Sequence, residues 1–276
     1  MPRPTLENPL FRFMTTEDAN AFREEIAAAG LRHARPICWH DNNKVFPKEI
    51  VGASCFVLRF GTGLVGVTAA HVIREYQKAK AATPSLVCQL HLMPFDLDGA
   101  LIDIDDDLDI ATFAISERQL KTTLTDAFDV SARWPLDDIV KPDASIQLIG
   151  YPENIRVINS VEKSAVFNAW GALDFIQDFN EREIILTYEP EKVLPSPTKP
   201  PLRYNMSGCS GGPAIVHELR ASNLHIWHPV GLIVGGPKFG EGDAAEFDII
   251  RVRRIDCIQP DGHIRRETET GWLPGR

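Results

Sequence analysis

The chain has 276 residues, 44% of them hydrophobic, which is enough to bury the core of one large domain or two packed subdomains and excludes global disorder. A formal net charge of −9 leaves no general basic field, so neither nucleic acid nor an anionic membrane surface is expected as a partner. No apolar run approaches the roughly 18 residues of a membrane span, and the N-terminus lacks a basic start followed by an apolar stretch, so a soluble, unexported, cytoplasmic protein is expected.

In chain order, Thr15-Thr16-Glu17-Asp18 offers hydroxyl caps and early negative charge to a helix over residues 17–29. Ala19, Phe22, Ile26 and Ala29 fall on one face of it, and Gly30 is expected to stop it. This helical extension, residues 1–35, is expected to dock on the main body and to cover a barrel end or a partner surface. From Pro36 the texture changes to short apolar runs broken by glycine. Residues 52–60 and 64–68 read as two strands joined by a tight turn at Gly61-Thr62-Gly63, and the strand end at Ala69-Ala70-His71-Val72-Ile73 carries a histidine. Further strands are expected over residues 86–93, 100–104 and 110–115, the last two separated by an acidic loop. Residues 121–144 read as a linker between halves. Strands resume at 145–150, 156–161, 164–170 and 183–188, and a proline-rich loop over 190–201 precedes a run of small residues. Strands at 213–217 and 230–234 and a C-terminal helix over about 247–258 complete the pattern. Many short strands with few helices predict an all-β architecture of two barrels or sandwiches.

The run Asn205-Met206-Ser207-Gly208-Cys209-Ser210-Gly211-Gly212-Pro213 presents a serine among backbone-permissive residues, as a nucleophile loop requires. A serine hydroxyl is a weak nucleophile unless a histidine takes its proton and a third group holds that histidine. Two other segments supply these types: Thr68-Ala69-Ala70-His71-Val72 and Asp107-Leu108-Asp109-Ile110-Ala111.

Together and in this order, the three segments resemble the T-A-A-H, D-I-A and G-x-S-G-G-P segments of the trypsin/chymotrypsin-like serine peptidases, over about residues 36–258. The resemblance implies two six-stranded antiparallel β-barrels, here residues 36–135 with His71 and Asp109, and 136–276 with Ser210 and the C-terminal helix. It implies that His71 is the general base, that Asp109 orients it, and that Ser210 is the nucleophile. Asp107 is the rival carboxylate, but only Asp109 is followed by Ile-Ala. The N–H groups of Gly208 and Ser210 would form the oxyanion hole, and Tyr204, Asn205, Val234, Gly235 and Gly236 would line the substrate cleft. The implied activity is hydrolysis of a protein or peptide substrate, without a cofactor or metal. The other reading is a latent interaction module activated by a regulatory protein partner.

Departures from the family are informative. Cys209 stands where secreted members carry the aspartate that pairs with a new N-terminus after zymogen cleavage, and Val72 stands where their disulfide cysteine follows the histidine. Both departures agree with intracellular, bacterial-type members. The five cysteines, Cys38, Cys55, Cys88, Cys209 and Cys257, form no Cys-x-x-Cys pair and argue for a reducing compartment, with Cys209 read as a buried small hydrophobe. Tyr204, six residues before Ser210, disfavours a preference for Arg or Lys at the cleaved position, and the two glycines after Val234 favour small or medium apolar side chains there. His225 and His228 would point to opposite faces of a strand, so no metal site is read from them. The acidic loop lacks the glycine and terminal glutamate of a calcium loop and reads as a solvated turn. The Arg251-Val252-Arg253-Arg254 cluster reads as a solvated face.

Overall fold

The computed structural model describes residues 25–26, 28–46, 49–136, 138–159, 161–187, 206–219, 225–236 and 249–266. They are mostly β, in antiparallel sheets of which one is curled into a half-barrel. The first sheet is built from β1 (Ala34–Asp41), β2 (Ile50–Phe60), β3 (Gly63–Thr68), β4 (Leu86–Leu90), β5 (Met93–Pro94), β6 (Leu101–Asp105), β7 (Ile110–Ala114) and β8 (Phe128–Asp129). Its order is β5-β4-β1-β2-β3-β7-β6, with β8 pairing in parallel to β2. After β9 (Ser145–Gly150) come a small hairpin of β10 (Val157–Asn159) and β11 (Ser164–Val166), then β12 (Trp170–Phe175), β13 (Asp178–Phe179), β14 (Glu183–Thr187), β15 (Pro213–Leu219), β16 (His225–Gly235) and β17 (Ile249–Arg254). The second sheet runs β12-β9-β15-β16-β17-β14-β13.

Each sheet covers its own apolar core, one centred on Phe56, Leu58, Ile110 and Phe113, the other on Ile146, Trp170, Ile184 and Val252. The cores meet where Ile149, Ile215 and Leu232 of the second sheet join the first cluster. The segment after β17 also returns to the first core through Ile255, Cys257, Ile258 and Ile264. Close packing explains two of the glycines: a Cβ at Gly66 would lie 2.1 Å from the Phe113 ring, and one at Gly30 would lie 2.5 Å from Ile149 Cδ1. Gly30 is therefore set by contact with β9, and the helix it was expected to stop runs on to Leu31. The rest of that N-terminal helix lies outside the described residues.

The hairpin of β2 and β3 turns at Gly61, which has φ of +60°, as its composition predicts. Three other expectations are corrected. The C-terminal helix is a strand, β17, whose burial alternates at Ile249, Ile250, Arg251 and Val252. Cross-strand ion pairs from Arg251 and Arg253 to Glu183 on β14 hold it there, so period two prevails over a helical reading. Of its arginine cluster only Arg251 is exposed; Arg253 and Arg254 are buried against Glu183 and Asp256. The helix Glu117–Thr122, with a complete capping box between Ser116 and Gln119, runs into the start of the expected linker, which also holds the short strand β8. The second strand of the hairpin ends at Thr68, in line with the expected span 64–68, but residues 69–73 are not part of a strand end: helix α1 (Ala70–Ala82) begins at once, burying Val72, Ile73 and Tyr76. Among the described residues, no helix is long and apolar enough to cross a membrane.

The acidic loop is a turn with Asp106 and Asp107 exposed, and the acids in it and at the end of β6 also make specific contacts. Asp106 pairs with Arg74, Asp105 accepts from the Leu108 N–H, and Asp103 binds Arg266 at 2.7 Å and the Ile264 N–H at 2.9 Å. Burial alone would raise the Asp103 carboxyl, but the hydrogen bonds from Arg266, Ile264 and Ile104 outweigh it and hold it at about 2. Because this folded-state value is depressed, its contribution is complete above the ordinary carboxylate range and is lost as pH falls through about 2. Asp103→Asn is expected to lower stability near neutral pH by about 2 kcal/mol and to flatten the acid limb between about pH 4 and pH 2, measured as urea midpoints against pH.

Candidate functional site

His71 sits in the first turn of α1, where backbone N–H groups have no acceptor within the helix, and Ala69 at the N-cap offers no side-chain oxygen. Asp109 supplies one from the turn before β7, where its own φ is +54°, a left-handed conformation that aspartate tolerates better than most residues. Its Oδ1 accepts the His71 backbone N–H at 2.9 Å, and its Oδ2 meets the ring Nδ1 at 2.8 Å. One carboxylate thus caps the helix and fixes the imidazole. In a neutral ring, a carboxylate at Nδ1 favours the tautomer with the proton there, which leaves Nε2 as the acceptor. Asp107, the alternative read from sequence, is exposed; the geometry selects Asp109.

Ser210 lies across a cleft of about 390 Å³ whose lining includes both His71 and Ser210. Its loop is held from several sides. Ser210 O accepts the Ser54 N–H at 2.9 Å, Gly208 O accepts the Ser54 hydroxyl at 2.7 Å, and the Gly211 N–H donates to Ile233 O at 2.8 Å. Thr68, three residues before His71, donates its hydroxyl to Ser54 O at 2.8 Å, so β2, β3 and the serine loop share one buried network. Gly208 and Gly211 have φ of +95° and +84°, and any side chain at Gly211 or Gly212 would run into backbone oxygens of Ser54 or Ile149 at 2.1 and 2.0 Å. Among the described residues, the N–H groups of Gly208 and Ser210 have no acceptor. Two main-chain donors, the serine and an imidazole oriented by Asp109 are therefore residues of one cleft loop and wall, the group types that nucleophilic attack on a carbonyl calls for.

Val234, Gly235 and Gly236 line the same cleft. The space beside the second glycine is not open, because Met206 lies against it, with Sδ 2.7 Å from where a Gly236 Cβ would stand. Tyr204 and Asn205 lie outside the described residues. Cys209 is fully buried against Gly150, and burial pushes its thiol far up from the ordinary value, so it is an inert part of the packing. The other four cysteines are also free and buried. His228 meets Glu218 of the adjacent strand at 2.9 Å, and among the described residues no cluster of ligating side chains could hold a metal.

Sequence reasoning missed Ser54, Glu75 and Glu153. Ser54 gives no signal beyond a small polar residue in an apolar strand. Glu75 follows His71 at i+4 on α1 and reaches the cleft, which becomes legible only once the helix is known. Glu153 accepts the Gly52 N–H and the Ser207 hydroxyl, tying β2 to the serine loop from a turn after β9 that no local pattern marks.

The chain matches no protein-family model and no curated protein sequence.

Proposed function

We propose that the chain is a serine endopeptidase acting through an acyl-enzyme intermediate, with a fold of two six-stranded, chymotrypsin-like barrels. The observation that carries this reading is the double hold of Asp109 on His71, through backbone N–H and Nδ1, in a cleft shared with Ser210. Ser210 Oγ attacks the scissile carbonyl while His71 Nε2 takes its proton, and Asp109 stabilises the imidazolium without taking the proton itself. The Gly208 and Ser210 N–H groups receive the developing oxyanion. His71 then protonates the leaving amine, and water returns through the same base to release the acid. Its substrates are proteins or peptides, and it works in the cytoplasm without a cofactor.

A partner-activated, latent module is the second reading. Among the described residues the serine loop is held by backbone bonds and by Ser54 rather than by an ion pair, which favours an enzyme competent as folded. A fluorophosphonate probe is expected to label Ser210 of the purified chain alone. Labelling that persists in Ser210→Ala, or that never occurs in the wild type, refutes the reading.

The cleft has a sign. Glu75 and Glu153 line it; Glu153 is paired with Arg156, whereas Glu75 has no ion pair among the described residues, and the described lining residues include neither lysine nor arginine. The low-dielectric walls of a cleft focus such a field, so peptides with a basic side chain near the scissile bond are expected to be cleaved faster than acidic counterparts. Glu75→Lys is expected to reduce that preference roughly three- to tenfold in kcat/KM at low salt, with the difference shrinking as ionic strength rises.

A further inference from the structure

A second cleft, of about 600 Å³, shares no lining residue with the first. It opens where the chain passes from one sheet to the other. Its walls come from the β2–β3 turn, from residues 130–135, from residues 256–260 after β17, and from Arg265. Val51 and Ala53 near the start of β2 line the candidate active cleft, whereas Phe60 at its end lines this one. Along an extended strand the two are therefore roughly 25 Å apart.

Its chemistry is specific. Phe60 and Trp134 pack edge to face, with centroids 5.4 Å apart, and the indole N–H is already given to Ile258 O at 2.7 Å, so these rings offer the cleft apolar surface. The charges of the other ionic residues in the wall are met within the protein: Arg133 pairs with Asp138, and Asp256 with Arg254. Arg265 differs. Its buried Nε has no acceptor, and among the described residues the rest of its guanidinium has no hydrogen bond or ion pair. The Gln259 side-chain amide on the same wall likewise makes no hydrogen bond among the described residues. A buried guanidinium donor without an acceptor is unfavourable by more than a neutral one, and the usual remedy is an anion placed on it.

We propose that this cleft is a binding site for a small organic anion, one carboxylate or phosphate group joined to a flat apolar body. The anionic group sits on Arg265 with Gln259 as a second donor, and the apolar body packs against Phe60 and Trp134. Such a ligand joins residues 130–135 to the C-terminal segment. That segment is tied to β6 and β7 by the Arg266–Asp103 pair and by the Thr112 hydroxyl on Gly262 O, and these strands bracket the turn carrying Asp109. The proposal stands on the second cleft alone and does not require the peptidase reading.

Phenyl phosphate is the probe, titrated calorimetrically and by the fluorescence of the tryptophans. One-site, saturable binding to the wild type is expected, weakened ten- to a hundredfold in Arg265→Gln and abolished in Ala132→Trp, which fills the cleft and leaves the charge. Phenol and inorganic phosphate, each lacking half of the ligand, are expected to bind at least about tenfold more weakly than phenyl phosphate. Urea midpoints of both variants establish that they fold. No saturation by about 10 mM, or equal affinity in a folded Arg265→Gln, overturns the proposal. So does binding that appears only when the chain is ended at Arg266, because the cleft then belongs to the protein's own C-terminal residues.

Discussion

Ser210→Ala is expected to lower kcat by roughly 10⁶-fold while leaving the urea midpoint within about 0.5 kcal/mol of the wild type. The size follows from the proposed chemistry: without Oγ no acyl-enzyme can form, and only the proposed oxyanion donors and substrate binding would remain to accelerate attack by water. The small effect on stability follows from how the loop is held, since its anchors are the Ser210 carbonyl, the Gly208 carbonyl and the Gly211 N–H, none of which the substitution touches. His71→Ala is expected to be about as damaging, and the double variant no worse than either, because the two residues act as a unit. Asp109→Asn should lose roughly 10⁴-fold by inverting the imidazole tautomer. It should also destabilise slightly, since the carboxylate also caps α1. Kinetics on a cleaved peptide measure all four, and additive losses in the double variant would remove His71 and Ser210 from a common step.

Gly211→Ala carries the largest expected effect on folding. The glycine has φ of +84°, and a Cβ there would lie 2.1 Å from Ser54 O and 2.3 Å from Thr68 Oγ1. Neither neighbour can yield cheaply, because Ser54 O already accepts the Thr68 hydroxyl inside the buried network between β2 and β3. A loss of about 3 kcal/mol or more is expected from clash and backbone strain together, with fluorophosphonate labelling lost in whatever fraction remains folded. Gly235→Ala is the control, since the nearest atom to its Cβ would be 3.9 Å away. If urea unfolding found the two variants equally stable, the close packing of the serine loop on Ser54 would be refuted.

The placement of these two residues shows why the serine loop was the most legible part of the chain. Glycine, serine and proline at fixed offsets encode local backbone geometry, and local geometry is what a linear string carries best. The hairpin around Gly61 was legible for the same reason, and β9 was readable over its full span because Ile146, Leu148 and Ile149 form an apolar stretch closed by Gly150. Helix α1 was misread although Val72, Ile73 and Tyr76 fall at helical spacing, because the preceding strand delivers the chain into it with no capping side chain. The C-terminal segment was misread in the opposite sense. Its arginines suggest a helix face only until Glu183, far away in sequence, is seen to pair with two of them.

By itself, then, the sequence determined the residue types of a candidate triad, their order, and a β-rich fold punctuated by glycine and proline. The Ile-Ala after Asp109 favoured it over Asp107 from sequence, but that its one carboxylate both caps the helix and orients the ring, and that Ser54 ties the serine loop to the first sheet, were decided only by tertiary structure. So was Arg265, unpaired among the described residues, in a second cleft. The physical reason is the same in each case. Hydrogen bonds and ion pairs depend on distances of about 3 Å between groups tens to hundreds of residues apart, and periodicity carries no information about which groups the fold brings that close.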